Sequence, residues 1–233
     1  MDRSLPQAPC RSPIGKVKMQ EIRETSRRAA PFAKPQSVAF DGSSLWIGSI
    51  ATSKIYRLNP DTLAIGFEAA APGKPWGMAA MNGELRVICG ETEEDNRYVR
   101  RFVPGTGFTR DGDFQCPDDT GSQLSFDGSR LYVSQWYKRR LLAVDDKGNV
   151  QETIEIPHGV CGQTFANGAF YVLTTDDEAS GDYWVTRVQR SNGSHKVEDI
   201  AQVAFPARAL AYDGKHFWTN HREADQIVSF ELP

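Results

Sequence analysis

The strongest constraint in this chain is a motif that returns five times: an apolar pair, an Asp-Gly or Asn-Gly turn, then an aromatic-rich β segment. The copies are VAFDGSSLWIGS from Val38, AAMNGELRVIC from Ala79, LSFDGSRLYVSQ from Leu124, TFANGAFYVLT from Thr164 and LAYDGKHFWTN from Leu210. Their turn glycines, Gly42, Gly83, Gly128, Gly168 and Gly214, lie 41, 45, 40 and 46 residues apart. A period of roughly 40 to 50 residues is that of propeller blades and is too long for leucine-rich, ankyrin or tetratricopeptide repeats. Asp-Gly and Asn-Gly supply the positive φ of a two-residue type I′ turn, so each copy reads as a tight antiparallel hairpin.

A third β segment follows each hairpin: KIYRLNP, RYVRRFVP, RRLLAVDDKGN, DYWVTRVQR and QIVSFEL. A fourth, more polar one follows in four units, in TLAIGFEA, GFTRDGDFQ, VQETIEIP and EDIAQVAF, as suits the outer edge of a blade. The expected fold is all-β, a single five-bladed β-propeller of four-stranded antiparallel blades starting near residues 36, 77, 122, 162 and 208. The fifth unit ends at Pro233 without its fourth strand. KVKMQEIRE, about residues 16–24, is expected to supply that strand from the N-terminal side and close the ring, which removes an exposed edge. Residues 1–14 then form a tail and Arg27–Pro31 a linker, with a short helix over Glu21–Ala30 as the competing reading.

Composition narrows the function classes. With 27 basic and 30 acidic residues the formal charge is −3, which does not provide the phosphate-neutralising surface of a nucleic-acid binder. No apolar run approaches the roughly 18 to 20 residues of a membrane span, and MDRSLPQAPCRSP lacks the apolar segment of a signal peptide, so a cytoplasmic address is expected. Cys10, Cys89, Cys116 and Cys161 are dispersed without a C-x-x-C pair and read as reduced thiols. Asn192-Gly193-Ser194 reads as a surface turn, and there is no P-loop, dinucleotide fingerprint, H-E-x-x-H or G-x-S-x-G.

The apolar pair, Asp-Gly and following Leu/Phe-Trp, with strands ending in Arg-Leu-Asn-Pro or Ser-Phe-Glu-Leu, resemble the small propellers of the virginiamycin B lyase group, the gluconolactonase/senescence-marker group and NHL repeats over about residues 35–233. Five blades with an N-terminal closing strand are similar in layout to glutaminyl cyclotransferases, as is Pro75-Trp76-Gly77-Met78 to their Trp-Gly-Leu blade opening. The acidic G-E-G-L opening of those enzymes is absent from all five blade starts. These resemblances imply lyase, lactonase-type hydrolase or cyclotransferase chemistry, with magnesium in the lyase case.

In a propeller the starts of the innermost strands and the turns after the second strands meet at one mouth of the central channel. The first set contributes Gln36, Trp76, Ser122, Gln123, Cys161, Gln163 and Arg208; the second contributes Ser49, Cys89, Glu91, Gln135, Trp136, Thr175, Asp176, Asn220 and His221. Glu91, Asp176 and His221 are the candidate acid/base residues. Glu91, Asp176 and Asn220 form a candidate oxygen-ligand set for a divalent cation, calcium or magnesium. Trp76, Gln123, Trp136 and Arg208 are candidate substrate contacts, Arg208 for an anionic group. Cys161 follows His158 by three residues and invites comparison with a Cys/His nucleophile, whereas His195 and His216 read as surface residues without partners. The expected ligand is a small molecule or peptide. The expected function is small-molecule binding with lyase or lactonase-type hydrolase activity at the mouth; a non-catalytic module for a peptide, sugar or protein, and a glutaminyl cyclotransferase-like acyltransferase, are the alternatives.

Overall fold

The computed structural model describes residues 19–179, 181–191 and 193–233. The expected tail, Cys10 and the first residues of the predicted closing strand lie outside that range, as does Asn192 of the predicted turn. Blade 1 contains β2 (Pro35–Phe40), β3 (Leu45–Ser49), β4 (Lys54–Leu58) and β5 (Ile65–Ala70). Blade 2 contains β6 (Lys74–Met81), β7 (Glu84–Glu91), β8 (Asn96–Val103) and β9 (Gly107–Gln115). Blade 3 contains β10 (Leu124–Phe126), β11 (Leu131–Gln135), β12 (Arg140–Val144) and β13 (Val150–Glu155). Blade 4 contains β14 (Gly159–Ala166), β15 (Ala169–Thr175), β16 (Tyr183–Ser191) and β17 (Ser194–Val203). Blade 5 pairs β18 (Ala207–Tyr212), β19 (Phe217–His221) and β20 (Gln226–Glu231) with β1 (Arg23–Ala29). The inner strands touch in the cycle β2, β6, β10, β14, β18 and back to β2, so the sheets form a closed five-bladed propeller.

The second strands of the blades are largely buried on both faces, which is why runs such as LWIGS and LYVSQ lack a clean polar/apolar alternation. One hydrophobic cluster fills each interface between neighbouring blades. Between blades 1 and 2, for example, Trp46 and Ile55 pack on Met78, Leu85, Val87 and Phe102. The Trp46 and Phe102 rings meet edge to face at 5.5 Å.

The hairpins divide into two kinds. Asn82-Gly83 and Asn167-Gly168 are two-residue turns with both residues at positive φ, the expected type I′ geometry. The three Asp-Gly copies depart from that expectation, because four residues separate the paired strand ends. The aspartate organises this longer loop. Asp41 Oδ1 accepts from the Ser43 and Ser44 amides, and its Oδ2 accepts from Trp46 Nε1 at 2.7 Å. Asp127 repeats the clasp with Tyr132, and Asp213 with Trp218. Burial opposes the charge at all three aspartates, yet the converging hydrogen bonds hold each carboxyl below its ordinary pKa.

The ring is closed by an N-terminal strand, as expected, but by a later segment than predicted. Arg23–Ala29 pairs antiparallel with β20, from Arg23 opposite Glu231 to Ala29 opposite Gln226. The closing strand therefore lies within the stretch read alternatively as helix, sharing its first two residues with the predicted closing strand and its last three with the stretch read as linker. It contains no large apolar residue and is largely exposed, so apolar periodicity pointed instead to Val17, Met19 and Ile22. Its side chains clasp both neighbours: Thr25 bonds Ser229 at 2.8 Å, Arg23 pairs with Glu231, and Arg28 donates to the carbonyls of Pro60 and Asp61 in blade 1. Just before it, Ile22 donates to Gln202 O at 2.9 Å and ties the lead-in to blade 4.

Candidate functional site

The inner strands start irregularly. Pairing is interrupted by a bulge between Pro35 and Ser37, Pro75 and Gly77, Val160 and Gly162, and Arg208 and Ala211. A bulge leaves a residue out of the ladder and re-aims its side chain. The residues skipped in the first three cases are Gln36, Trp76 and Cys161, and all three line a cavity of about 550 Å³ at this end of the channel. Side-chain amides hold the displaced backbone: Gln123 donates to Trp76 O at 3.0 Å and Gln163 to Gln123 O at 3.2 Å.

Of the residues nominated from the repeats, Trp76, Gln123, Trp136, Asp176 and Arg208 line this cavity together. Trp76 lies under the Arg97 guanidinium, 4.0 Å from its ring centroid, and donates from Nε1 to Asp95 at 3.2 Å. Trp136 rests on Gly159, where a Cβ would come within 2.8 Å of the indole. Arg208 is 5% exposed; it donates to Tyr183 Oη at 2.8 Å and Ala207 O at 3.0 Å, and pairs with Glu178 at 2.8 Å. Burial works against the Arg208 charge, but the hydrogen bond to Tyr183 and the Glu178 carboxylate help to offset it, and the pKa stands above its ordinary value.

Glu91, Asn220 and His221 are not among the lining residues. Glu91 is held by Arg100, with Nε and Nη2 each 2.7 Å from its oxygens, an ion pair within blade 2. Asn220 is fully buried and reaches Ser37 O at 3.5 Å. His221 packs on Phe205 beside Arg27, and burial followed by the Arg27 charge lowers its pKa. Among the described residues, no three His, Cys, Asp or Glu side chains are grouped so as to hold a metal ion.

The remaining candidates are placed as follows. The Cys161 thiol donates to Leu173 O at 3.3 Å, and burial pushes its pKa up to about 12, so at neutral pH it is a protonated thiol rather than a nucleophile. His195 and His216, expected to lack partners, face carboxylates: His195 Nε2 is 3.5 Å from Glu152 and His216 Nδ1 is 3.6 Å from Asp213.

Sequence reasoning missed Arg97, Tyr137, Asp177, Glu178 and Arg222 on the cavity wall. Arg222 follows β19 in a 3-10 turn, Arg222–Ala224, and donates to Gln36 Oε1 at 2.8 Å. Arg97 sits on a third strand, outside the two aligned positions that converge on the mouth. Glu178 follows Asp176 and Asp177 in an acidic run, a pattern common in solvated turns, yet it reaches Arg208.

His158 adds a further link to Asp176. Its ring stacks on Trp184 at 4.7 Å, with Nδ1 3.0 Å from Asp176 in a direction unsuited to a hydrogen bond and Nε2 3.3 Å from Asp199. Asp199 in turn accepts from Thr186 at 2.6 Å.

A larger groove of about 650 Å³ opens between blades 2 and 3, but its arginines are engaged: Arg86 and Arg101 with Glu84, and Arg130 with Glu152.

No family profile and no curated protein sequence matches this chain. Solved structures do. The glutaminyl cyclase of Myxococcus xanthus superposes with a TM-score of 0.68 at 12% identity, covering 91% of this chain and 97% of its own. The fold they share is the β-propeller. An oxidoreductase of Thermus thermophilus described as a glucose dehydrogenase gives 0.57 at 13% identity, over 88% of this chain and 99% of its own. Virginiamycin B lyase of Staphylococcus aureus, with quinupristin, gives 0.51 at 16% identity, over 87% and 82%. Similarity at this level of identity establishes the architecture anticipated from the repeats, and a shared fold by itself carries no activity. Among the described residues no helix is long and apolar enough to cross a membrane.

Proposed function

We propose that this propeller binds a small molecule at the mouth of its central channel, between Trp76 and Trp136 and above Arg208. The carrying observation is the convergence of bulged inner-strand residues and a buried arginine on one cavity of about 550 Å³, within the roughly 300 to 1,000 Å³ of small-molecule sites. Two indoles supply flat apolar surface, and Arg208, itself buried, supplies directed hydrogen bonds. A thermal-shift screen of small molecules on wild type and Trp136→Ala tests this reading, because a ligand selective for the native state raises its stability. Shifts that disappear in Trp136→Ala are expected; shifts that persist unchanged would move the site elsewhere.

A lyase or hydrolase function is a second reading, favoured by Asp176 on the cavity wall beside His158, which also contacts Asp199. In it Asp176 exchanges a proton with the bound molecule, with His158 Nδ1 3.0 Å from its carboxylate. Conversion of a binding ligand, lost in Asp176→Asn with binding retained, is the expected signature. A cyclotransferase reading finds less support, since Lys74 and Pro75 precede Trp76 where that resemblance would call for an acidic opening. The free thiols Cys89, Cys116 and Cys161 support a cytoplasmic address.

A further inference from the structure

Three arginines face the cavity, Arg97 from blade 2 and Arg208 and Arg222 from blade 5, while its three carboxylates, Asp176, Asp177 and Glu178, all come from one stretch after β15. The cationic side of the mouth is built into two blades, and the anionic side belongs to one connection. Arg208 and Glu178 are also unequal partners. The arginine side chain is 6% exposed and anchored by Tyr183 and Ala207, whereas the Glu178 side chain is 50% exposed. A buried guanidinium needs a counter-charge, but a half-exposed carboxylate on a connecting segment is held weakly, because solvent screens the pair and ordering the side chain costs entropy.

We infer that Glu178 occupies the place of a ligand carboxylate, and that the molecule bound at this mouth is a small organic acid carrying a flat ring, its carboxylate on Arg208 and its ring against Trp76 and Trp136. A neutral ligand gains nothing from Arg208, whose charge is already compensated. An acid releases Glu178 to water, replaces it on a group that is already desolvated, and adds the burial of its ring against the indoles. Arg222, engaged with Gln36 and Glu223, and Arg97, engaged with Asp95, are the other cations of the wall, each already holding a carboxylate of its own, which leaves Arg208 as the group that an incoming acid would pair with.

This inference rests on the mouth being the ligand site, and the test separates the two. Phenylacetate and phenylacetamide, alike in ring and differing in charge, are titrated into ¹⁵N-labelled protein while the indole N–H resonances of Trp76 and Trp136 are followed, with Trp46 and Trp218 of the blade interfaces as internal references. The acid is expected to shift both mouth resonances and the amide to need at least about tenfold more, as befits a charged hydrogen bond. Glu178→Gln should tighten the acid about three- to fivefold, in the range of a partly exposed ion pair, and leave the amide unchanged. Arg208→Lys, whose fold is checked by the dispersion of the remaining indole signals, should weaken the acid. If acid and amide act equally and Glu178→Gln changes neither, the anionic class is wrong and the mouth remains the site. If neither compound moves the Trp76 and Trp136 resonances in wild type or Glu178→Gln, both readings fall.

Discussion

The two ends of the central channel are made by the same five inner strands and differ in kind. At the hairpin end the strands finish in register, Phe40 opposite Leu45 and Tyr212 opposite Phe217, around a cavity of only about 110 Å³. At the other end the ladders of β2, β6, β14 and β18 are interrupted, and the residues displaced in the first three, Gln36, Trp76 and Cys161, line a cavity five times that size, about 550 Å³. Regular pairing repeats one solution to closing the ring. Broken pairing releases Gln36, Trp76 and Cys161 from three blades, so those blades contribute distinct chemistry to one space.

This contrast is most strongly challenged at the hairpin end, where Trp46 joins an interface to an aspartate clasp. Trp46→Ala should cost about 3–5 kcal/mol in urea unfolding, the usual range for emptying a large aromatic site, while leaving ligand binding at the mouth intact in the folded protein. Asp213→Ala strips the partner from buried Trp218 and should cost about 1–3 kcal/mol. The same aspartates predict an acid limit. Because their folded pKa values lie below the unfolded ones, their contribution is complete above the ordinary carboxylate pKa and is lost as pH falls through the lowered folded values. The urea midpoint of wild type should therefore drop on acidification below about pH 4, with a smaller drop in Asp213→Asn.

At the mouth, Gly159→Ala should have the opposite profile. Its new Cβ would press on the Trp136 indole, weakening ligand binding more than tenfold with a stability cost of about 1 kcal/mol, the lower end for overpacking. Arg28→Ala removes the side chain that ties the closing strand to blade 1 and should cost about 1 kcal/mol without affecting the mouth. The smallest expected effect belongs to calcium or magnesium. With Glu91 engaged by Arg100, either ion added after chelation should leave the melting temperature unchanged, and a clear rise would restore a cation to the site.

The blade order was legible because turn chemistry repeats: a glycine at positive φ and an apolar strand buried on both faces leave the same trace at Gly42, Gly128 and Gly214. The closing strand was misplaced because an exposed edge strand such as RETSRRA is held by backbone pairing and polar clasps, which leave no apolar period. Trp76, Gln123, Trp136, Asp176 and Arg208 could be found by aligning the repeats, since aligned positions converge in a ring. Arg97 and Arg222 could not, because they reach the mouth from a third strand and a 3-10 turn through long side chains. Nor does sequence separate Glu91 from Glu178; the first is held by Arg100 on the neighbouring strand and the second crosses to blade 5.

The central claim is that the interrupted ends of the inner strands build the ligand site. Soaking crystals with a library of small aromatic and acidic fragments tests it most directly. The account predicts that bound fragments gather between Trp76, Trp136 and Arg208, with acids displacing Glu178. Fragments gathered instead in the groove beside Arg86, Phe114 and Arg130, with the mouth left to solvent, would contradict it.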